Sequence, residues 1–182
     1  MMSDKQKVDF NGYLEGFSSE RLHIYGALVK KQTVKEPCVF IDGGVSVRQG
    51  REGFSLGDGD SSSADRMDLL LPEKKDVSDL EYFLNELSIQ YKEYELYGFL
   101  GGRKDHEWTN LMCLYQFLLR HKNPTKISLD QRAIFFKQIE MEIRHEGSFS
   151  LWSMDEGEVS ISGDIDYPYS GKIKKLSSHG LS

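Results

Sequence analysis

Short apolar runs alternate with segments of helical period through the first two thirds of the chain. Leu22 to Val29, Cys38 to Ile41, Phe54 to Leu56, Leu69 to Leu71 and Tyr94 to Leu100 are compact runs bounded by turn residues, and they predict strands. Leu80, Phe83, Leu84, Leu87 and Tyr91 fall on one face at a period of 3.6. Ser78, followed three residues later by Glu81, forms a capping box that starts this helix and leaves Asp79 in its first turn. Trp108, Leu111, Met112, Tyr115, Leu118 and Leu119 repeat the pattern. They predict a second helix from about Asp105 or His106 to a point before Asn123-Pro124, where proline stops it. Strands alternating with helices predict a mostly parallel sheet, because parallel neighbours need a long crossover between them.

After about Thr125 the period drops to two. Ile134 and Phe136, Ile139, Met141 and Ile143, Phe149 and Leu151, and Val159 and Ile161 alternate with other residues. Turn signals at His145-Glu146-Gly147, Asp155-Glu156-Gly157 and Ser170-Gly171 separate them, which predicts antiparallel strands. The expected organisation is a polar segment over residues 1–20, a Rossmann-like α/β domain over 21–124 and a small antiparallel β-sandwich over 125–182. Ser61 to Asp65 is expected to be a mobile loop.

Composition narrows the class. Of 182 residues, 38% are hydrophobic and 29% charged, the balance of a globular chain able to bury a core. No apolar run approaches the roughly 20 residues that span a bilayer. The first 20 residues lack the apolar stretch of a secretory signal, so a cytoplasmic protein is expected, with no membrane partner. Cys38 and Cys113 are far apart without metal-type spacing and read as buried free thiols. The net charge of -6 and the absence of a basic stripe argue against nucleic acid as a partner. An acidic protein that handles a polyphosphate needs a cation between them.

Four acid- and glycine-rich segments follow the predicted strands: Asp42-Gly43-Gly44, Gly57-Asp58-Gly59-Asp60-Ser61, Lys75-Asp76-Val77-Ser78-Asp79 and Gly101-Gly102-Arg103-Lys104-Asp105-His106. Ligands in α/β folds sit at strand ends, where glycines let backbone N-H groups approach phosphates and carboxylates hold Mg²⁺. Asp58 and Asp60 are spaced to converge on one cation, or are ordinary turn residues capping local N-H groups. Asp42 precedes two glycines that permit a sharp turn close to a ligand, or simply a strand exit. Ser78 and Asp79 start a helix, a role compatible with metal binding. Lys75 can neutralise phosphate charge or be a surface lysine. Arg103 can hold phosphate with its planar fork or pair with Asp105. His106 sits beside it, and the histidines at 23, 121, 145 and 179 have no ligand spacing. Trp152 and Tyr167 are expected to pack in the β domain, with stacking on an aromatic substrate as the alternative.

In order and wording, these segments resemble the thiamine pyrophosphokinase family, from Val39 onward. Asp-Gly-Gly, Gly-Asp-x-Asp-Ser, Lys-Asp-x-Ser-Asp-x-Glu and Gly-Gly-Arg-x-Asp-His with Asn110 after it carry the resemblance. Ser148 to Leu151, Gly157 to Val159 and Gly163 to Pro168 are similar to the family's thiamine-binding β domain. The resemblance implies transfer of pyrophosphate from ATP to the hydroxyl of thiamine, giving AMP, with Mg²⁺ held by Asp42, Asp58, Asp60 and Asp79. It implies catalytic roles for Asp58, Asp60, Asp79 and Arg103. Contacts to ATP are implied for Gly43, Gly44, Ser61, Lys75, Ser78, Gly101, Gly102, Arg103, Asp105 and His106. A homodimer with active sites between subunits is also implied. The alternatives are a relative that binds nucleotide or thiamine compounds with weakened turnover, and a pyrophosphokinase for another small alcohol.

Overall fold

The computed structural model describes residues 9–50, 52–60 and 67–181. Its chain divides into two compact units between residues 140 and 141. The first is built on a seven-stranded sheet. In chain order its elements are α1 (Asp9–Glu15), β1 (Arg21–Tyr25), β2 (Cys38–Ile41), a 3-10 helix (Asp42–Val47), β3 (Phe54–Gly57), β4 (Leu69–Leu70), α2 (Asp79–Glu86), β5 (Glu93–Tyr97), α3 (Lys104–Arg120), β6 (Thr125–Leu129) and β7 (Ala133–Lys137). The strand order is β4-β3-β2-β1-β5-β6-β7, all parallel except the antiparallel β7.

That order contains a reversal. The chain steps outward from β1 to β4, then returns past β1 to β5 and β6. Since crossovers are right-handed, steps in opposite directions lie on opposite faces of the sheet. One face carries Phe10 and Leu14 of α1, Leu80 and Phe83 of α2, and Leu114 and Phe117 of α3, packed on Leu22, Ile24, Val39, Leu56, Leu96 and Ile127. The other carries the connections after β1 and β2, whose Val29, Val34, Val45 and Val47 pack around Tyr25, Cys38 and Phe40. The Tyr25 ring stacks between Phe40 at 5.4 Å and Tyr97 at 5.0 Å. β1 and β5 therefore flank the topological switch point, where the two sets of connections part; ligands of open α/β sheets bind outside the strand C-terminal ends at such a point.

Several expectations need correction. Residues 9–15 of the segment expected to be polar are helical, and Phe10 and Leu14 lie in the core; two apolar side chains four apart in a short helix give too weak a periodic signal to stand out. β1 ends at Tyr25 and β5 at Tyr97, because Gly26 and Gly98 turn the chain out of the sheet. α2 stops at Glu86, before Leu87 and Tyr91. α3 buries Cys113, Leu114, Phe117 and Leu118, whereas Trp108 and Met112 are 58% and 65% exposed. Residues 125–137 do not open the β domain: β6 adds to β5 in parallel and β7 closes the sheet as an edge hairpin, so the expected division at 124/125 lies at 140/141. Ser61 and the rest of the expected loop lie outside the described residues.

The second unit contains β8 (Phe149–Ser153), β9 (Gly157–Ile161), β10 (Tyr169–Ile173) and β11 (Ser177–Leu181). They form two two-stranded antiparallel sheets, β8 with β11 and β9 with β10. Residues 139–146 are neither helix nor strand, and Ser170-Gly171 lies within β10 instead of a turn. Among the described residues of this unit only Ile173 is a buried hydrophobic. Trp152 is 68% and Tyr167 60% exposed, so neither packs in a core of this unit. Among the described residues no helix is long and apolar enough to cross a membrane, and both cysteines are buried free thiols.

Candidate active site at the strand ends

The acidic residues converge because successive parallel strands deliver them to one edge. Asp42 follows β2, Asp58 follows β3, and Asp79 opens α2 after β4. Asp42 sits at φ 50°, a left-handed conformation that aspartate tolerates better than most residues. Its close approach to β3 depends on Gly57, where a Cβ would come within 2.8 Å of the Asp42 Cα. Gly44 has a similar internal reason, since a Cβ there would meet the Tyr25 carbonyl oxygen at 1.9 Å. Gly43 and Gly44 are buried in the 3-10 helix.

Asp42, Asp58 and Asp60 each offer a carboxylate oxygen within 4.8 Å of the others. Oxygens sharing one Mg²⁺ or Ca²⁺ stand up to roughly 4–5 Å apart, twice the metal–oxygen distance, so this spacing suits one cation. One Asp42 oxygen, Oδ1, is buried without a hydrogen-bond partner. A buried carboxylate oxygen left unpaired is costly, and a divalent cation would satisfy it. Asp58 also has the local role weighed above, as its Oδ1 accepts the Asp60 N-H at 3.2 Å.

Lys75 stands among these carboxylates. Its ammonium lies 3.1 Å from Asp58 Oδ2 and 2.8 Å from Asp79 Oδ1, and it also donates to the Pro72 carbonyl at 3.3 Å. Only 14% of the lysine side chain is exposed, so it is a positioned cation. Burial works against its charge, yet the bonds to Asp79 and Asp58 prevail and hold its pKa above the ordinary value. Burial raises the Asp79 pKa, and the charges of Asp58 and Asp42 add to this against the opposing effect of Lys75. Asp58 moves the other way: burial is outweighed by the Asp60 N-H and by Lys75, and its pKa is lowered. Two neighbouring carboxylates are thus biased apart, Asp79 towards holding a proton and Asp58 towards remaining charged. Ser78 caps α2, its Oγ accepting the Glu81 N-H at 3.1 Å as the capping pattern predicts.

The fourth segment lies across the switch point at the exit of β5. Gly101 takes φ 104°, and Arg103 is the N-cap residue of α3. The Arg103 fork pairs with Asp105 through Nε at 3.1 Å and a second guanidinium contact, and its side chain is 72% exposed. That is the local alternative weighed for this arginine. His106 is exposed on the first turn of α3. Glu107 accepts the Gly101 N-H, and Asn110 donates to the Phe99 carbonyl at 3.0 Å. Sequence reasoning missed one residue here. Asp130, at the end of β6, accepts the N-H groups of Gly98, Phe99 and Leu100. Its signal was an aspartate directly after the apolar Ile127-Ser128-Leu129, the same strand-exit pattern as Asp42, hidden by assigning that run to another domain. His23 and His121 are buried, with pKa values pushed down chiefly by burial, His23 to about 4.

No protein-family model matches the chain, and no curated protein does. Among solved structures, the chain is similar to thiamin pyrophosphokinase from Geobacillus thermodenitrificans, with 22% identity, 88% of each chain covered and a TM-score of 0.53. Thiamine pyrophosphokinase from Bacillus subtilis aligns at 18% identity over 89% of this chain and 90% of its own, with a TM-score of 0.46. A probable thiamine pyrophosphokinase from Staphylococcus saprophyticus aligns at 18% over 78% and 72%, with a TM-score of 0.47. The Geobacillus likeness extends over both units of the chain and establishes a shared fold: a mostly parallel α/β sheet followed by a small antiparallel β unit.

Proposed function

We infer that this protein is a Mg²⁺-dependent pyrophosphokinase that transfers the pyrophosphoryl group of ATP to the hydroxyl of thiamine. The observation that carries this is the convergence of Asp42, Asp58 and Asp60, one with an unpartnered buried oxygen, beside a Lys75 held by Asp58 and Asp79. The fold shared with the Geobacillus thiamin pyrophosphokinase and the order of the four segments supply the substrate class.

Asp42, Asp58 and Asp60 would hold the cation, with Asp79 one lysine away. When bound, Mg²⁺ supplies charge neutralisation on the phosphate oxygens. The remaining work falls to the chain. Arg103, released from Asp105, and the N-terminus of α3 with His106 meet the polyphosphate, while the buried Gly43 and Gly44 shape the wall beside it. Lys75 neutralises charge at the transferred group. The thiamine oxygen forms a bond to the β-phosphorus, the bond from that phosphorus to the bridging oxygen breaks, and AMP leaves with the electron pair. Asp79, whose pKa is raised by burial, takes or orients the hydroxyl proton. The second unit, with Trp152 and Tyr167 exposed, suits a role in holding the aromatic acceptor and in pairing with a second copy, giving a homodimer with active sites between subunits. The two buried free thiols fit a reducing compartment, and the reaction is assigned to the cytoplasm.

The pairing of Arg103 with Asp105 favours a second reading, a relative that binds nucleotide or a thiamine compound with weakened turnover. Assaying AMP and thiamine diphosphate from ATP, Mg²⁺ and thiamine, beside Asp58→Asn, separates the two. Product formed by the parent and lost in the variant is expected. ATP binding without thiamine-dependent AMP favours the second reading, and AMP formed only with another alcohol changes the acceptor.

A further inference from the structure

We propose that Asp130 is a positioning residue for the nucleotide: its carboxylate fixes the β5-exit turn that presents Gly101, Gly102 and Arg103 at the switch point. This rests on the pyrophosphokinase reading for the nature of the ligand, but on the backbone for its mechanism. Three successive N-H groups at a strand exit form a concavity that attracts anions, and at a switch point a phosphate is the usual occupant. Here the chain fills it with its own anion. Asp130 Oδ1 accepts from Gly98, and Oδ2 accepts from Phe99 at 2.9 Å and from Leu100 at 2.7 Å. The carboxylate arrives from the neighbouring strand because Asp130 adopts φ 51°, and its own N-H is held by the Leu96 carbonyl at 2.9 Å.

The turn so fixed is also keyed to the exit of β1. Gly26 donates to the Tyr97 carbonyl at 2.7 Å and Leu28 to the Gly98 carbonyl at 3.0 Å. A Cβ on Gly98 would lie 2.1 Å from the Val29 nitrogen, and one on Gly26 would lie 2.8 Å from the Phe99 ring. The close approach leaves no room for a side chain at either glycine. Two consequences follow. Phosphate oxygens do not use the amides of 98–100, so the nucleotide is gripped by Arg103, by the start of α3 and by the cation. The placement of Arg103 depends on a carboxylate that never touches the ligand.

The test uses the full chain with Asp130→Asn and Asp130→Gly. Both replacements tolerate the left-handed backbone; asparagine keeps one acceptor oxygen and glycine keeps none. ATP affinity with Mg²⁺ is measured by calorimetry, thiamine-dependent AMP formation gives KM and kcat, and hydrogen exchange follows the peptide holding residues 97–103. ATP affinity is expected to fall at least five-fold in Asp130→Asn and further in Asp130→Gly, with faster exchange at 97–103. The KM for thiamine and the Mn²⁺ affinity of the nucleotide-free protein should stay within two-fold. A uniform loss of all these quantities, or unchanged ATP affinity despite faster exchange, overturns the proposal and leaves the pyrophosphokinase reading standing if the parent forms AMP. If the parent binds ATP without thiamine-dependent turnover and the variants still lose that binding, the positioning role stands and the thiamine reading falls. A parent that binds no ATP overturns both.

Discussion

The two sides of the switch point are built on opposite electrostatic plans. At the exits of β2 and β3, carboxylates are gathered in excess: three share a volume of cation size, a fourth stands behind Lys75, and a buried Asp42 oxygen has no partner. At the exit of β5, N-H donors are gathered, and the chain satisfies them itself through the carboxylates of Asp130 and Glu107. The first side leaves a buried carboxylate oxygen without a partner, whereas the second pairs its donors within the chain. On the proposed reading the acidic side takes the metal and the β5 side the nucleotide, so the largest changes on binding are expected at Arg103, whose exposed pairing with Asp105 is weak enough to exchange for phosphate.

Removing charge from the acidic side should have the greatest effect. In Asp58→Asn, turnover is expected to fall about a thousand-fold, because the charge that orders the cation and Lys75 is lost. A variant within ten-fold of the parent would mean that the acidic cluster is not the reactive end. Asp79→Asn should lower turnover about a hundred-fold if Asp79 handles the hydroxyl proton. Its stability moves the other way. Burial raises the Asp79 pKa in the folded state, so the stability associated with this group is present at low pH and lost as pH rises through that pKa. A neutral asparagine at this position escapes the loss, and melting curves should show the variant equal to or above the parent at pH 7, with the advantage shrinking on acidification. A variant less stable at pH 7 than at pH 4, relative to the parent, would contradict this.

Lys75→Met leaves Asp58 and Asp79 without their shared cation and should lower stability by about 2 kcal/mol, read by denaturant titration. Mg²⁺ should restore part of it, and the metal-induced gain should exceed that of the parent; an equal gain would mean that the two cations do not relieve the same repulsion. The smallest effect belongs to the other side. Arg103→Ala should raise the KM for ATP about ten-fold while changing stability by less than about 0.5 kcal/mol, since its present partner is a solvent-exposed carboxylate.

Most of the acidic side was legible in the sequence and less of the other. Asp42 and Asp58 stand directly at strand exits, and the apolar runs before them mark those strands without ambiguity. The cap at Ser78 was legible for the same reason, because it is local. Asp130 was not, because its role depends on β6 adding to β5, a pairing that no local pattern encodes. The misplacement of Trp108 and Met112 has a related cause. Apolar residues cover too much of α3 for periodicity to choose the buried face, and the choice is made by packing of Cys113, Leu114 and Phe117 on the sheet and α2. In the second unit, alternation identified β8 and β9 but not β10 and β11, nor how little the strands bury alone, since exposure of Trp152 and Tyr167 depends on what lies opposite them.

The most direct test is a Mn²⁺ titration of the nucleotide-free protein and of Asp42→Asn, followed by electron paramagnetic resonance. Asparagine keeps the shape and the left-handed backbone of Asp42 while removing the charge behind its unpartnered oxygen. One bound ion per chain in the parent, weakened at least ten-fold in the variant, is the predicted result. Identical titrations of parent and variant would contradict a cation site built by Asp42, Asp58 and Asp60.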